Sequence, residues 1–301
     1  MQANLHEPIE SLLCAPLTTK RRFSDCLVAN HTLHEFLENE LVRAGFEMVD
    51  DAHSTERTLH LPLDHWIDVG ALCMLTRSTE PTSLFDSRGD LVAWRGHKDP
   101  RQCTGKMVTE ANCFRIRYAW DFLQLNEEVL DVMGLSDIRG EISQLAEVRG
   151  NLYLGNGSVV QPGCFIEGNV VIGENCVIGP NAYIHGNTSI ADNCHIGHGV
   201  EVSNSVFYEH VTVGHNVYVG DSIVGNHALL GAGTVLSNKR HDGRNQRALI
   251  RGELIDTGRQ ELGAIIGDGV RTGVNTTVFP GRKIGNGRTT RPGALIEHDM
   301  M

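Results

Sequence analysis

VRGNLYLGNGSVVQPGCFIEGNVVIGENCVIGPNAYIHGNTSIADNCHIGHGVEV, residues 148–202, decides the fold. An aliphatic residue returns at every sixth position: Val148, Leu154, Val160, Ile166, Ile172, Ile178, Ile184, Ile190, Ile196 and Val202. A small or slim residue stands two places before the later members, at Ser158, Cys164, Val170, Cys176, Ala182, Thr188, Cys194 and Val200. A helix repeats every 3.6 residues and a strand every 2, so neither accounts for a strict period of six. A hexapeptide repeat does, each six-residue piece laying one short strand on one face of a prism. The aliphatic residue points into the prism, the small one fills the corner, and Gly or Asn takes the turn. The reading is a parallel β-helix.

Outward from this stretch the period slips near 204–208 and resumes at Val213, Val219, Val224, Leu230 and Leu236, with one five-residue step after Val219. It breaks over 237–263 and returns at Ile266, Thr272, Val278, Ile284, Thr290 and Ile296. A long loop expelled from so regular a stack points to function. Residues 1–135 carry no repeat and read as α/β. Thr32 and Glu35 form a capping box for a helix that turns Leu33, Phe36, Leu37 and Leu41 inward and stops at Gly45. Strands are expected at 60–63, 91–94 and 113–118, and an amphipathic helix at 119–133. The domains are therefore placed at 1–138 and 139–301.

Composition narrows the function classes. The 301 residues suit two domains, and 33 glycines with 6% aromatic residues fit a repetitive solenoid. A net charge of −11 argues against nucleic acid or an anionic membrane as the main partner. No apolar run reaches the roughly 18 residues a membrane span needs. The first residues lack the basic and apolar regions of a signal peptide. Of the eight cysteines, Cys164, Cys176 and Cys194 fill the small-residue slot of the hexad, and no CxxC spacing occurs. Free structural thiols in a reducing cytoplasm are expected.

Two stretches carry candidate chemistry. Between Asn238 and Arg251 stand Lys239, Arg240, Arg244, Arg247 and Arg251 against the single Asp242, a local charge of +4 in an acidic chain. Such a cluster suits a small anion such as phosphate, although pairing with nearby acids such as Glu253 and Asp256 would leave it a solvated loop. His215 stands two residues past the inward Val213, so its side chain leaves the prism, and imidazole titrates near neutral pH as a general base must. Tyr218 follows it, then Gly231-Ala-Gly233 and the basic loop.

These parts carry a family resemblance. Tyr118-Ala-Trp-Asp121-Phe-Leu-Gln-Leu-Asn126-Glu-Glu-Val-Leu resembles the segment closing the nucleotidyltransferase domain of two-domain sugar-1-phosphate nucleotidyltransferase/acetyltransferases. The 32–45 helix is similar to the one after that domain's signature. Only Pro16-Leu17-Thr18 of the signature is present; Glu-Ser-Leu-Leu-Cys-Ala precedes it without glycine, Pro-Lys is missing, and the domain is about half the usual length. A loop without glycine cannot bring its backbone against a triphosphate, so this domain is read as reduced and non-catalytic. The segments 210–242 and 262–275 and Phe279-Pro-Gly281 resemble the acetyltransferase half, particularly of archaeal-type members. The resemblance implies a left-handed β-helix, against the usual right-handed crossover, in a homotrimer with sites between subunits. It implies acetyl transfer from acetyl-CoA to the amine of an amino-sugar 1-phosphate, with His215 as base, Tyr218 and Asn238 orienting the sugar, Arg244 and Arg247 on the phosphate where archaeal-type members have lysines, and Ala232 and Gly273 at the cofactor. Leu229 replaces an Asn that many members have near the sugar, and Lys239-Arg240 replaces the aromatic-containing sequence of the bacterial enzymes, so sugar identity stays open.

Two other classes compete. Val-Thr-Val-Gly-His215 also looks like the ligand strand of a γ-type carbonic anhydrase, but position 220 is Gly where a second His is needed, the upstream ligand would fall near Thr188, and zinc requires three protein ligands. The other is a non-catalytic trimeric scaffold or a sugar-nucleotide sensor.

Overall fold

The computed structural model describes residues 1–8, 11–50, 52–134 and 136–301. Glu10, which opens the glycine-free loop, lies outside them. Packing divides the chain into two units: Met1–Ser11, Arg21–Cys26 and His31–Arg117 form the first, and Leu12–Lys20, Leu27–Asn30 and Tyr118–Met301 the second.

The first unit is built on a six-stranded sheet ordered 47–48, 2–6, 59–62, 91–95, 82–85, 105–108. Strand Gln2–His6 pairs in parallel with both neighbours, and Leu33–Arg43 (α1) makes the crossover to Glu47–Met48. The expected capping box is present: Thr32 Oγ1 accepts from Glu35 N–H while the Glu35 carboxylate accepts from Thr32 N–H. Leu33, Leu37 and Leu41 are buried as the pattern requires. Phe36 is not; it is half-exposed at the edge of the stripe, its ring 5.7 Å from that of Trp66. The 113–118 strand is shorter than expected, Cys113–Arg115, paired antiparallel with His65–Ile67. A second helix, Val69–Thr76 (α2), packs on the sheet.

The second unit is a parallel β-solenoid. One face stacks 147–149, 165–167, 183–185, 201–203, 218–220 and 235–236; the next stacks 152–154, 170–172, 188–190, 206–207, 223–224 and 265–266. The third stacks 141–142, 159–160, 177–178, 195–196, 212–213 and 229–230. Register advances by 18 residues, as from Val159 to Val177 to His195, and then by 17, from His195 to Thr212 to Leu229. The slip after Val202 is thus a coil shortened by one residue.

From Leu154 to Val202 the aliphatic series is buried without exception and forms one continuous core with the slot residues Cys164, Cys176, Ala182 and Cys194. Val148 differs: it is 36% exposed, because it lies in the first turn of its face and no strand stacks beneath it. Thr272 and Thr290 take their inward places by pairing hydroxyls, Thr272 with Thr234 at 2.9 Å and Thr290 with Thr276 at 2.7 Å, so no buried oxygen is stranded.

The sequence places the domain change at 138/139, ahead of the stretch that leads into the repeat; packing groups more with the solenoid. Asp121–Val132 (α3) lies against it, turning Phe122, Leu123, Leu125, Val129 and Leu130 inward. Asn126 joins the pieces: Oδ1 accepts from Ala29 N–H (3.0 Å) and Ser189 Oγ–H (2.9 Å), and Nδ2 donates to the Asn187 carbonyl (3.1 Å). Pro16, Leu17 and Thr18 are buried rather than arranged as an open cradle.

Candidate functional site

The excursion over 237–263 is ordered. Arg247–Ile250 pairs antiparallel with Glu253–Asp256 through a turn at Arg251-Gly252, both at positive φ. Buried Gln246 pins its base, Nε2 donating to the carbonyls of Asn238 (3.1 Å) and Gln260 (3.0 Å).

His215, Ala232 and Gly273, far apart in sequence, mark one corner in three successive coils. The His215 carbonyl accepts from Gly233 N–H at 2.9 Å, and the Ala232 carbonyl from Asn275 N–H at 2.8 Å. Glycine is needed here: a Cβ on Gly214 would lie 2.7 Å from the Ala232 nitrogen, and one on Gly231 2.9 Å from the Gly273 carbonyl carbon. His215 is exposed, with no side-chain partner among the described residues.

Tyr218 opens the next face and meets the base of the excursion. Its hydroxyl donates to Asn238 Oδ1 at 3.3 Å, and burial pushes the phenol pKa above its ordinary value. Asn238 is only 6% exposed and both ends of its amide are engaged, Nδ2 donating to Asp221 Oδ2 at 2.6 Å. The residues joined to it escaped sequence reasoning. Asp221 is buried, and desolvation raises its carboxyl pKa against the opposing effects of Asn238 and Arg259. Arg259 lies 3.7 Å from Asp221 and grips both oxygens of Glu127 on α3. The available signal was positional: most neighbouring coils have Gly where Asp221 stands.

The basic loop divides. Lys239 pairs with Glu261 at 2.8 Å and Arg240 with Asp242 through two hydrogen bonds, the latter holding the Asp242 carboxyl far below its usual range. Arg244, Arg247 and Arg251 make no ion pair with an acid among the described residues. Arg247 lines a cavity of about 980 Å³ with Arg240, Arg282, His298, Leu249 and Phe279. Neither Arg244 nor His215 borders it. Within one chain the structure thus gathers His215 with Ala232 and Gly273, and Tyr218 with Asn238, while Arg247 faces separate space. Among the described residues no group of three His, Cys, Asp or Glu is arranged to hold a metal.

The family model for the EIF2B subunit epsilon LbH domain, LbH being the left-handed β-helix, matches residues 149–240. The bifunctional sugar-1-phosphate nucleotidylyltransferase/acetyltransferase of Sulfurisphaera tokodaii is 36% identical over 181 residues, 60% of this chain and 45% of that protein. The solenoid is homologous to part of that bifunctional protein. The bifunctional protein GlmU of Methanococcus maripaludis is 34% identical over 185 residues, 62% of this chain and 44% of its own. These matches fall on the C-terminal 60% of the chain, which spans less than half the length of the curated relatives. Among solved structures, a UDP-N-acetylglucosamine acyltransferase covers 56% of this chain and 66% of its own at 15% identity, with a TM-score of 0.29, too loose a fit to carry weight.

Proposed function

We propose that the chain is an acetyl-CoA-dependent N-acetyltransferase acting on an amino-sugar 1-phosphate. The observation that carries this reading is the glycine-lined corner where His215, Ala232 and Gly273 follow one another beside the Tyr218–Asn238 pair, in a solenoid homologous to part of nucleotidylyltransferase/acetyltransferases. The acceptor nitrogen attacks the thioester carbonyl, the C–S bond breaks, and CoA leaves as thiolate. His215 takes the proton lost by nitrogen and returns it to sulfur. Tyr218 meets the sugar and Asn238, with no free amide end, acts by holding Tyr218. The N–H of Ala232 points to the thioester, and Gly273, whose own N–H is taken by Thr290 Oγ1, lines it with its backbone. Arg244 and Arg247 hold the phosphate from a neighbouring subunit of a homotrimer, which accounts for their separation from His215 within one chain.

The test is turnover of acetyl-CoA with glucosamine 1-phosphate and galactosamine 1-phosphate. His215→Ala should lower kcat/KM by roughly 10²- to 10⁴-fold; a fully active variant refutes the base assignment. A second reading, a non-catalytic scaffold or sugar-nucleotide sensor, is favoured because no side chain among the described residues orients the His215 ring. Absence of turnover by the wild-type protein with every such acceptor would support it.

A further inference from the structure

The solenoid shows what it requires at the place of Asp221. Along the corner between the first two faces the equivalent residues are Gly150, Gly168, Gly186, Asn204, Asp221 and Gly263. All but Gly263 have positive φ, which glycine and asparagine tolerate. The fold itself is thus satisfied by Gly or Asn. Asn204 spends its side chain on the stack, Oδ1 accepting from Asn187 N–H one coil below at 3.0 Å. The amide in the corresponding place beneath Asp221, that of Ser205, donates to Thr188 Oγ1 instead. The Asp221 carboxylate turns away from the stack, toward Asn238 on one side and Arg259 on the other.

The consequence is directional. A carboxylate only accepts hydrogen bonds, so it compels Asn238 to offer Nδ2 and leaves Oδ1 for Tyr218. The Tyr218 hydroxyl must then donate to Asn238; Ser203 already hydrogen-bonds to its oxygen, and the remaining lone pair is left for a ligand donor. Without the Asp221 carboxylate only the 3.5 Å contact to Glu261 Oε2 holds Nδ2, so the amide can turn over, present its NH₂ to Tyr218 and take up that lone pair. Arg259, locked on Glu127 of α3, keeps the carboxylate in place across a separation of 132 residues from its partner. We propose that Asp221 is a positioning residue for acyl-acceptor binding: braced by Arg259 and Glu127, it fixes the Asn238 amide so that Tyr218 presents a hydrogen-bond acceptor to a sugar hydroxyl or amine. This rests on the acetyltransferase reading above.

Asp221→Gly and Asp221→Asn are suited to the test, since both residue types occupy the same corner in neighbouring coils. Steady-state kinetics should show the KM for amino-sugar 1-phosphate raised on the order of 10- to 100-fold in Asp221→Gly, with the KM for acetyl-CoA unchanged. Asp221→Asn, which keeps an acceptor oxygen, should recover part of the loss, and Glu127→Gln should shift the acceptor KM in the same direction by less. An unchanged acceptor KM, or an equal rise in both KM values, would overturn the proposal. Hydrogen exchange supplies an arm that needs no turnover: Asp221→Gly should speed exchange at the base of the 237–263 excursion and leave 148–202 as in wild type. Unaltered exchange there overturns the network even if the wild-type protein proves inactive, whereas inactivity alone bears only on the acetyltransferase reading.

Discussion

Replacing Asn126 by Ala removes three hydrogen bonds at once and should cost the protein about 3 kcal/mol, at roughly 1 kcal/mol for each partner left behind. The partners are the Ala29 N–H, the Ser189 hydroxyl and the Asn187 carbonyl, gathered around a side chain 1% exposed. Little water can replace the lost amide, so the orphaned groups bear a desolvation cost that an exposed pair would escape. Asn151→Ala is the matching control, because its bond to Asn169 is exposed and its loss should cost less than about 0.5 kcal/mol. Urea unfolding of the full chain, followed by far-UV circular dichroism, gives both values from the shift in midpoint at constant slope. A loss below about 1 kcal/mol in Asn126→Ala would refute the claim that this amide clamps α3 to the coils. Such a loss would also weaken the reason for the placement of Glu127, the next residue on α3, against Arg259.

Ile184→Ala should destabilise by about 2–5 kcal/mol, since Ile184 is fully buried between Ile166 and Val202, while Val148→Ala at the exposed end of the series should cost under about 1 kcal/mol; the same urea titration measures both. Burial pushes the Asp64 carboxyl pKa up, but His65 and Arg115 outweigh it and hold the group below its ordinary value. Its stabilising contribution is therefore present above the unfolded pKa of about 3.9 and is lost as pH falls through the folded value. Asp64→Asn should accordingly melt below wild type at pH 7, and the two melting curves should converge in acid. With a thiol reagent in excess, Cys73 should react in the native protein, whereas Cys164, Cys176 and Cys194 should react only on unfolding; fast native labelling of any of these three would contradict their place in the core.

The solenoid was legible because its cause is local and repeated. Each inward aliphatic meets its own equivalent one coil away, so the same demand recurs every six residues from Leu154 to Val202 and marks the chain. The capping box at Thr32 was legible for the same reason, its partners lying three residues apart. The exposure of Val148 was not, since only the stack reveals that nothing lies beneath it.

For the candidate site, sequence determined that function should be sought where the period fails, and it singled out His215, Tyr218 and Asn238. It could not show that the Asn238 amide is consumed at both ends, that Lys239 and Arg240 are neutralised while Arg247 is not, or that Asp221, Arg259 and Glu127 converge on one hydrogen-bonded cluster. Apart from the Arg240–Asp242 pair, two residues apart, those facts depend on side chains brought together across tens to more than a hundred residues by the return path of the 237–263 excursion and the docking of α3. A buried charge takes its meaning from the partners that replace water around it, and tertiary structure alone chooses those partners.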